Sequence, residues 1–116
     1  MRKCCLATMA LLVALLTGCG QSHEAKGLAK KFMATQMGIS DYDVVQWGPL
    51  DSTFFVSDSM VNVMRQQMDG KITGGYAKPS SKLFYLNVKY AIDKDTISQT
   101  FYFDDKMTGI VSLKNN

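Results

Sequence analysis

Cysteine is missing from everything beyond position 19, since the three in the chain are Cys4, Cys5 and Cys19. The remainder can build neither a disulfide framework nor a cysteine-rich metal site. Histidine is nearly absent as well: His23 is the only one and stands close to the N-terminal segment rather than in the expected fold, which argues against Ser-His-Asp and Cys-His catalysis, and zinc has no second imidazole. Proline occurs only at Pro49 and Pro79. No apolar run is long enough to cross a bilayer, because the longest, Leu6 to Leu16, holds eleven positions including Thr8, against the roughly 20 a spanning helix needs. Charge of one sign is also lacking. Thirteen Lys and Arg face ten Asp and Glu, and without Arg2 and Lys3 the balance is eleven to ten. No basic run interleaved with aromatics occurs, which disfavours nucleic-acid binding.

What is there begins at the N-terminus. Arg2 and Lys3 precede the apolar run, and small residues follow it, the layout of a secretory signal peptide. The next four residues, Leu16-Thr17-Gly18-Cys19, resemble the lipobox of bacterial lipoproteins. That resemblance implies removal of residues 1–18, a diacylglycerol thioether on Cys19 and often a further acyl chain on its new amino group. Membrane lipid is then a partner through Cys19, and this covalent lipid is the only cofactor expected. One acyl chain is a marginal anchor, and two or more hold stably. Gly20 follows the cysteine, where the aspartate of inner-membrane retention stands in enteric bacteria, so the resemblance points to the outer membrane and leaves leaflet and side open.

Removal of 18 residues leaves 98, enough for one domain. Residues 19–24 read as a lipidated tether and 25–116 as a single α+β domain. Ala25, Leu28, Ala29, Phe32 and Met33 fall at helical spacing, with Ser22 a possible N-cap and Gly38 the stop. Asp43 to Trp47 reads as a short strand ended by Gly48-Pro49. Residues 50–56 fit either a bulged strand or a loop. Met60, Val61, Met64 and Met68 suggest a second helix capped by Ser57 or Ser59. Asp69 to Ser81 holds Gly70, Gly74, Gly75 and Pro79 and reads as a loop, long for so small a domain and therefore a place to look for binding.

The last third alternates. Phe84, Leu86, Val88, Tyr90 and Ile92 share one face of a strand, and Ile97, Phe101 and Phe103 continue the pattern after a turn at Asp93-Lys94-Asp95. A second turn at Asp104 to Thr108 leads into a third strand, Gly109 to Leu113. A helix packed on an antiparallel sheet of about four strands buries both apolar stripes, so the expected class is α+β. With the stretch Tyr42 to Ser52, this order is similar to small lipoproteins of the Bacteroidetes group with a cystatin-like or NTF2-like domain. A second likeness, through the strands from Leu83 to Leu113, is to accessory lipoproteins of the barrel-assembly machinery, whose helix-ending motifs are missing here and to which this chain adds a strand near Val44.

No catalytic residue and no metal site is expected. Asp93 with Asp95, and Asp104 with Asp105, read as turn formers rather than calcium ligands, because neither run has the spacing of a calcium loop. Asp51 and Asp58 form a conceivable acid/base pair that nothing singles out. The Met60, Met64 and Met68 stripe suits a core and, less so, an adaptable surface. Tyr85 and Tyr102 are expected on the outer faces of adjacent strands, beside Lys89, as a recognition patch or a cross-strand pair. The candidate binding surface is therefore Gly70, Gly74, Gly75, Tyr76, Tyr85, Lys89 and Tyr102. The preferred function is a non-enzymatic module that binds another envelope protein. The alternative is a small-ligand or enzymatic cleft between helix and sheet, as in NTF2-like domains.

Overall fold

In the computed structural model the described residues are 9–68, 72 and 74–116, with side chains from residue 20 onward. The signal-peptide reading of residues 1–8, the thiol of Cys19 and the loop position Gly70 fall outside them. The first helix, α1, spans Met9–Thr35. Its buried stripe is the expected one: Ala25, Ala29, Phe32 and Met33 are buried and Leu28 partly so. Gly38 ends it at φ +69°, a left-handed conformation that costs glycine little, and the Ile39 N–H turns back to the Met33 carbonyl at 2.9 Å. The start is not as expected. Residues 19–24, read as a tether, lie inside the helix, and with them Ser22, the possible N-cap. No proline interrupts Leu16 to Glu24, so a helix propagates through Gly18 and Gly20 at about 1 kcal/mol each.

Five antiparallel strands follow: β1 Asp43–Trp47, β2 Asp51–Thr53, β3 Leu83–Ile92, β4 Asp95–Phe103 and β5 Ile110–Asn115. The order across the sheet is β1-β3-β4-β5, with β2 also pairing β3. Residues 50–56 are thus part strand, and β1 and β2 together line one edge of β3, at Val88–Ala91 and Leu83–Tyr85 respectively. The chain between them bends at Gly48, whose N–H donates to the Asn87 carbonyl at 2.8 Å. A Cβ there would stand 3.1 Å from the Asn87 Cβ, so the approach favours glycine. Asp93 and Lys94 make a two-residue hairpin turn, Asp93 at φ 55°, which places Tyr85 opposite Tyr102 and Leu86 opposite Phe101.

The second helix, α2, spans Asp58–Gln67, and the Ser57 side chain accepts the Met60 N–H at 3.2 Å as its cap. The sheet consequently has two covered regions. On one face α1 packs on Leu86, Val88, Tyr90, Phe101, Phe103, Ile110 and Leu113. Val61 and Met64 of α2 join Leu83, Tyr102 and Val111 in a separate cluster. Tyr102, expected at the surface, is therefore buried at 8 % exposure, while its pairing with Tyr85 holds, with ring centroids 6.1 Å apart. The methionine stripe divides: Met64 and Met68 are core and Met60 is exposed. The described residues form an α+β fold of two helices on one five-stranded antiparallel sheet. No described helix is long and apolar enough to cross a membrane.

Candidate functional site

The candidate surface read from the sequence is not one surface. Gly74 and Gly75 hold positive φ, +132° and +78°, and a Cβ on Gly75 would meet the side chain of Gln36, just past α1, at 2.6 Å. Tyr76 lies against Phe32 on the α1 side, with ring centroids 5.6 Å apart. Tyr85 and Tyr102 belong to the α2 side, and Lys89 is exposed farther along β3. The described part of the loop is moreover fastened. Ala77 donates its N–H to the Ile110 carbonyl at 2.7 Å, and Arg65 donates from Nε to the Val111 carbonyl and from Nη2 to the Ala77 carbonyl, each at 2.9 Å. The same guanidinium stands 4.6 Å from the Tyr76 ring centroid. A free edge of β5 would leave carbonyls to water or to a foreign strand, and these contacts occupy two of them.

The carboxylates act locally. Asp104 accepts the Thr108 N–H at 2.7 Å, the Gly109 N–H at 3.0 Å and the Thr108 hydroxyl at 2.5 Å. Asp51 accepts the N–H of Ser52 at 2.8 Å, and the Tyr85 hydroxyl lies 3.5 Å from its other oxygen. Asp58 sits in the first turn of α2, where a negative charge favours the helix. His23 is exposed on α1. Among the described residues no three His, Cys, Asp or Glu come close enough together to hold a metal ion.

Among the described residues, two of the concave sites bear on function. The first is a groove of about 310 Å³ between α2 and β5, lined by Ser59, Met60, Val63, Met64, Tyr102 and Lys114. Its apolar lining is open to solvent, Met60 at 48 % and Val63 at 50 % exposure, and its one charge is the ammonium of Lys114. Phe54 and Phe55, in the loop before α2, are exposed as well but do not line this groove. The sequence signal for the groove was the methionine stripe, whose first member is the one that misses the core.

The second is a cavity of about 430 Å³ at the C-terminal end of α1, between Met37, Ile39 and Met68 and the strand residues Ile97, Tyr90, Gln99 and Asn115. A polar row crosses its floor. The Tyr90 hydroxyl donates to Gln99 Oε1 at 2.7 Å, and Gln99 Nε2 donates to Asn115 Oδ1 at 2.8 Å. Burial, with a lesser contribution from the nearby Tyr42 hydroxyl, pushes the Tyr90 phenol up to about 12 and keeps it a hydrogen-bond donor. Sequence reasoning missed this row. Its trace was a glutamine in the core-facing series Ile97, Gln99, Phe101, Phe103.

The central cleft that a ligand-binding α+β domain needs is filled. Phe32, Leu86, Val88 and Phe101 are buried against one another there, with Phe84 packed on them. Compared with known proteins, the chain matches no family model, no curated protein and no solved structure.

Proposed function

We propose that the chain is a lipid-anchored protein of the bacterial cell envelope, probed by its partners as a non-catalytic docking module on the outer membrane. The anchoring half of this reading rests on the resemblance of Leu16-Thr17-Gly18-Cys19 to a lipobox. The docking half is carried by one observation, the open apolar groove of Met60, Val63, Met64 and Tyr102 beside Lys114. An exposed amphipathic helix face of this kind meets apolar side chains. A lone ammonium at its rim selects a carboxylate. The partner is therefore an envelope protein whose contacting segment presents apolar side chains and one Asp or Glu.

The test compares the full-length chain with Cys19→Ala in living cells. Intact-mass spectrometry should find the parent with an N-terminal Cys19 carrying diacylglycerol, and cross-linking should enrich one envelope protein with the parent alone. Recovery of an unlipidated Cys19 chain would contradict the anchor. A partner captured equally by both forms would contradict the need for anchoring.

A further inference from the structure

We propose that the cavity at the C-terminal end of α1 is a binding site for a small uncharged molecule with an apolar body and one polar edge that both donates and accepts hydrogen bonds, such as an amide. It lies on the α1 face of the sheet, whereas the groove lies between α2 and β5, so this inference does not rest on the docking reading.

Size, lining and floor argue for it together. About 430 Å³ falls in the range of small-molecule sites, which are mostly apolar with a few placed polar groups. The lining here has that make-up. Met37, Ile39, Met68 and Ile97 supply the apolar walls, and the two thioethers are flexible enough to close on ligands of different shape. The floor is the row Tyr90, Gln99, Asn115.

Gln99 decides the chemistry. It is 3 % exposed and occupies a strand position whose neighbours on the same face, Ile97 and Phe101, are apolar. A buried amide there costs stability unless its groups are paired. A primary amide has two N–H donors and two carbonyl lone pairs. Tyr90 uses one lone pair and Asn115 one donor. A second donor and a second acceptor of Gln99 have no partner among the described residues. The Tyr90 oxygen can itself accept. A ligand edge with one acceptor and one donor completes this set. A charged ligand does not, since among the described residues the cavity lining holds no ionisable group besides the neutral phenol, and an ion would lose its hydration without a counter-charge.

The experiment titrates the full-length chain in lipid nanodiscs with benzamide and follows the side-chain amide resonances of Gln99 and Asn115. Benzoate and toluene serve as the charged and the purely apolar comparison. The expected result is a saturable shift with benzamide, about tenfold weaker or more with either comparison, which corresponds to one lost hydrogen bond. Gln99→Leu should weaken benzamide by about tenfold and leave toluene unchanged. Ile97→Trp fills the cavity, abolishes binding of both, and carries the test if Gln99→Leu does not fold. Val63→Asp, in the groove, should bind benzamide like the parent. Benzamide that moves neither resonance, or that binds Ile97→Trp as tightly as the parent, overturns the proposal.

Discussion

At the scale of the residue, three positions show how far local chemistry reaches. Gly27 is exposed within α1, and a Cβ built on it meets nothing within 4 Å. Alanine there removes only the entropic cost of a helical glycine, so Gly27→Ala should raise the unfolding free energy by about 0.5–1 kcal/mol in chemical denaturation. Tyr90 makes the opposite point, because its value is tied to its surroundings. Its ordinary pKa is near 10, and burial first, then Tyr42, lift it to about 12 in the folded chain. Above pH 10 the unfolded chain loses this proton and the folded chain keeps it. The stability it contributes is therefore whole below pH 10 and lost as pH rises toward 12. Denaturation at pH 8 and pH 11 should show a steeper alkaline loss for the parent than for Tyr90→Phe. Gln99 was missed: it leaves a trace as one polar member of an apolar series, but which groups it meets depends on the register that sets Asn115 beside it, and single-strand patterning does not carry that.

At the scale of the element, legibility followed alternation. The strands β3 and β4 turn every second residue toward α1, so the hairpin was readable to within a residue of its turn even though α2 covers part of the other face. The cap of α2 was readable down to two serines, Ser57 or Ser59, before an amphipathic run, and Ser57 is the one that serves. Ser57→Ala should lower stability by about 1 kcal/mol, measured as the shift in denaturation midpoint with an unchanged slope. One expectation failed and one was incomplete. Ser22, a possible N-cap, lies inside α1, because the polar residues around it include no proline and continue the helix. The described part of the loop is irregular, as its glycines and proline imply, but irregularity does not say where backbone groups bond. Here they bond to β5 and to Arg65. Arg65→Ala removes both guanidinium bonds, and hydrogen exchange should then speed up at Ala77 while the amides of β3 and β4 keep their protection.

At the scale of the whole molecule, the fold class was legible and the arrangement of surfaces was not. An apolar stripe on a helix and alternation in three strands suffice for α+β. They do not say that α2 covers part of the sheet away from α1, that Tyr102 is buried in consequence, or that Met60 and Val63 are left open beside Lys114. The candidate surface scattered because its members were chosen as exposed or irregular one at a time, while a groove is a property of two elements together. The central claim is that this groove receives an acidic, apolar-bearing segment of an envelope protein. Carbodiimide treatment of intact cells joins an ammonium to a carboxylate in direct contact with it, and mass spectrometry of the products tests the claim most directly. The account predicts that Lys114 becomes linked to an Asp or Glu of one envelope protein, and that Val63→Asp abolishes the link while the purified chain keeps its circular dichroism. Lys114 linked to no other protein, or linked equally in Val63→Asp, would contradict it.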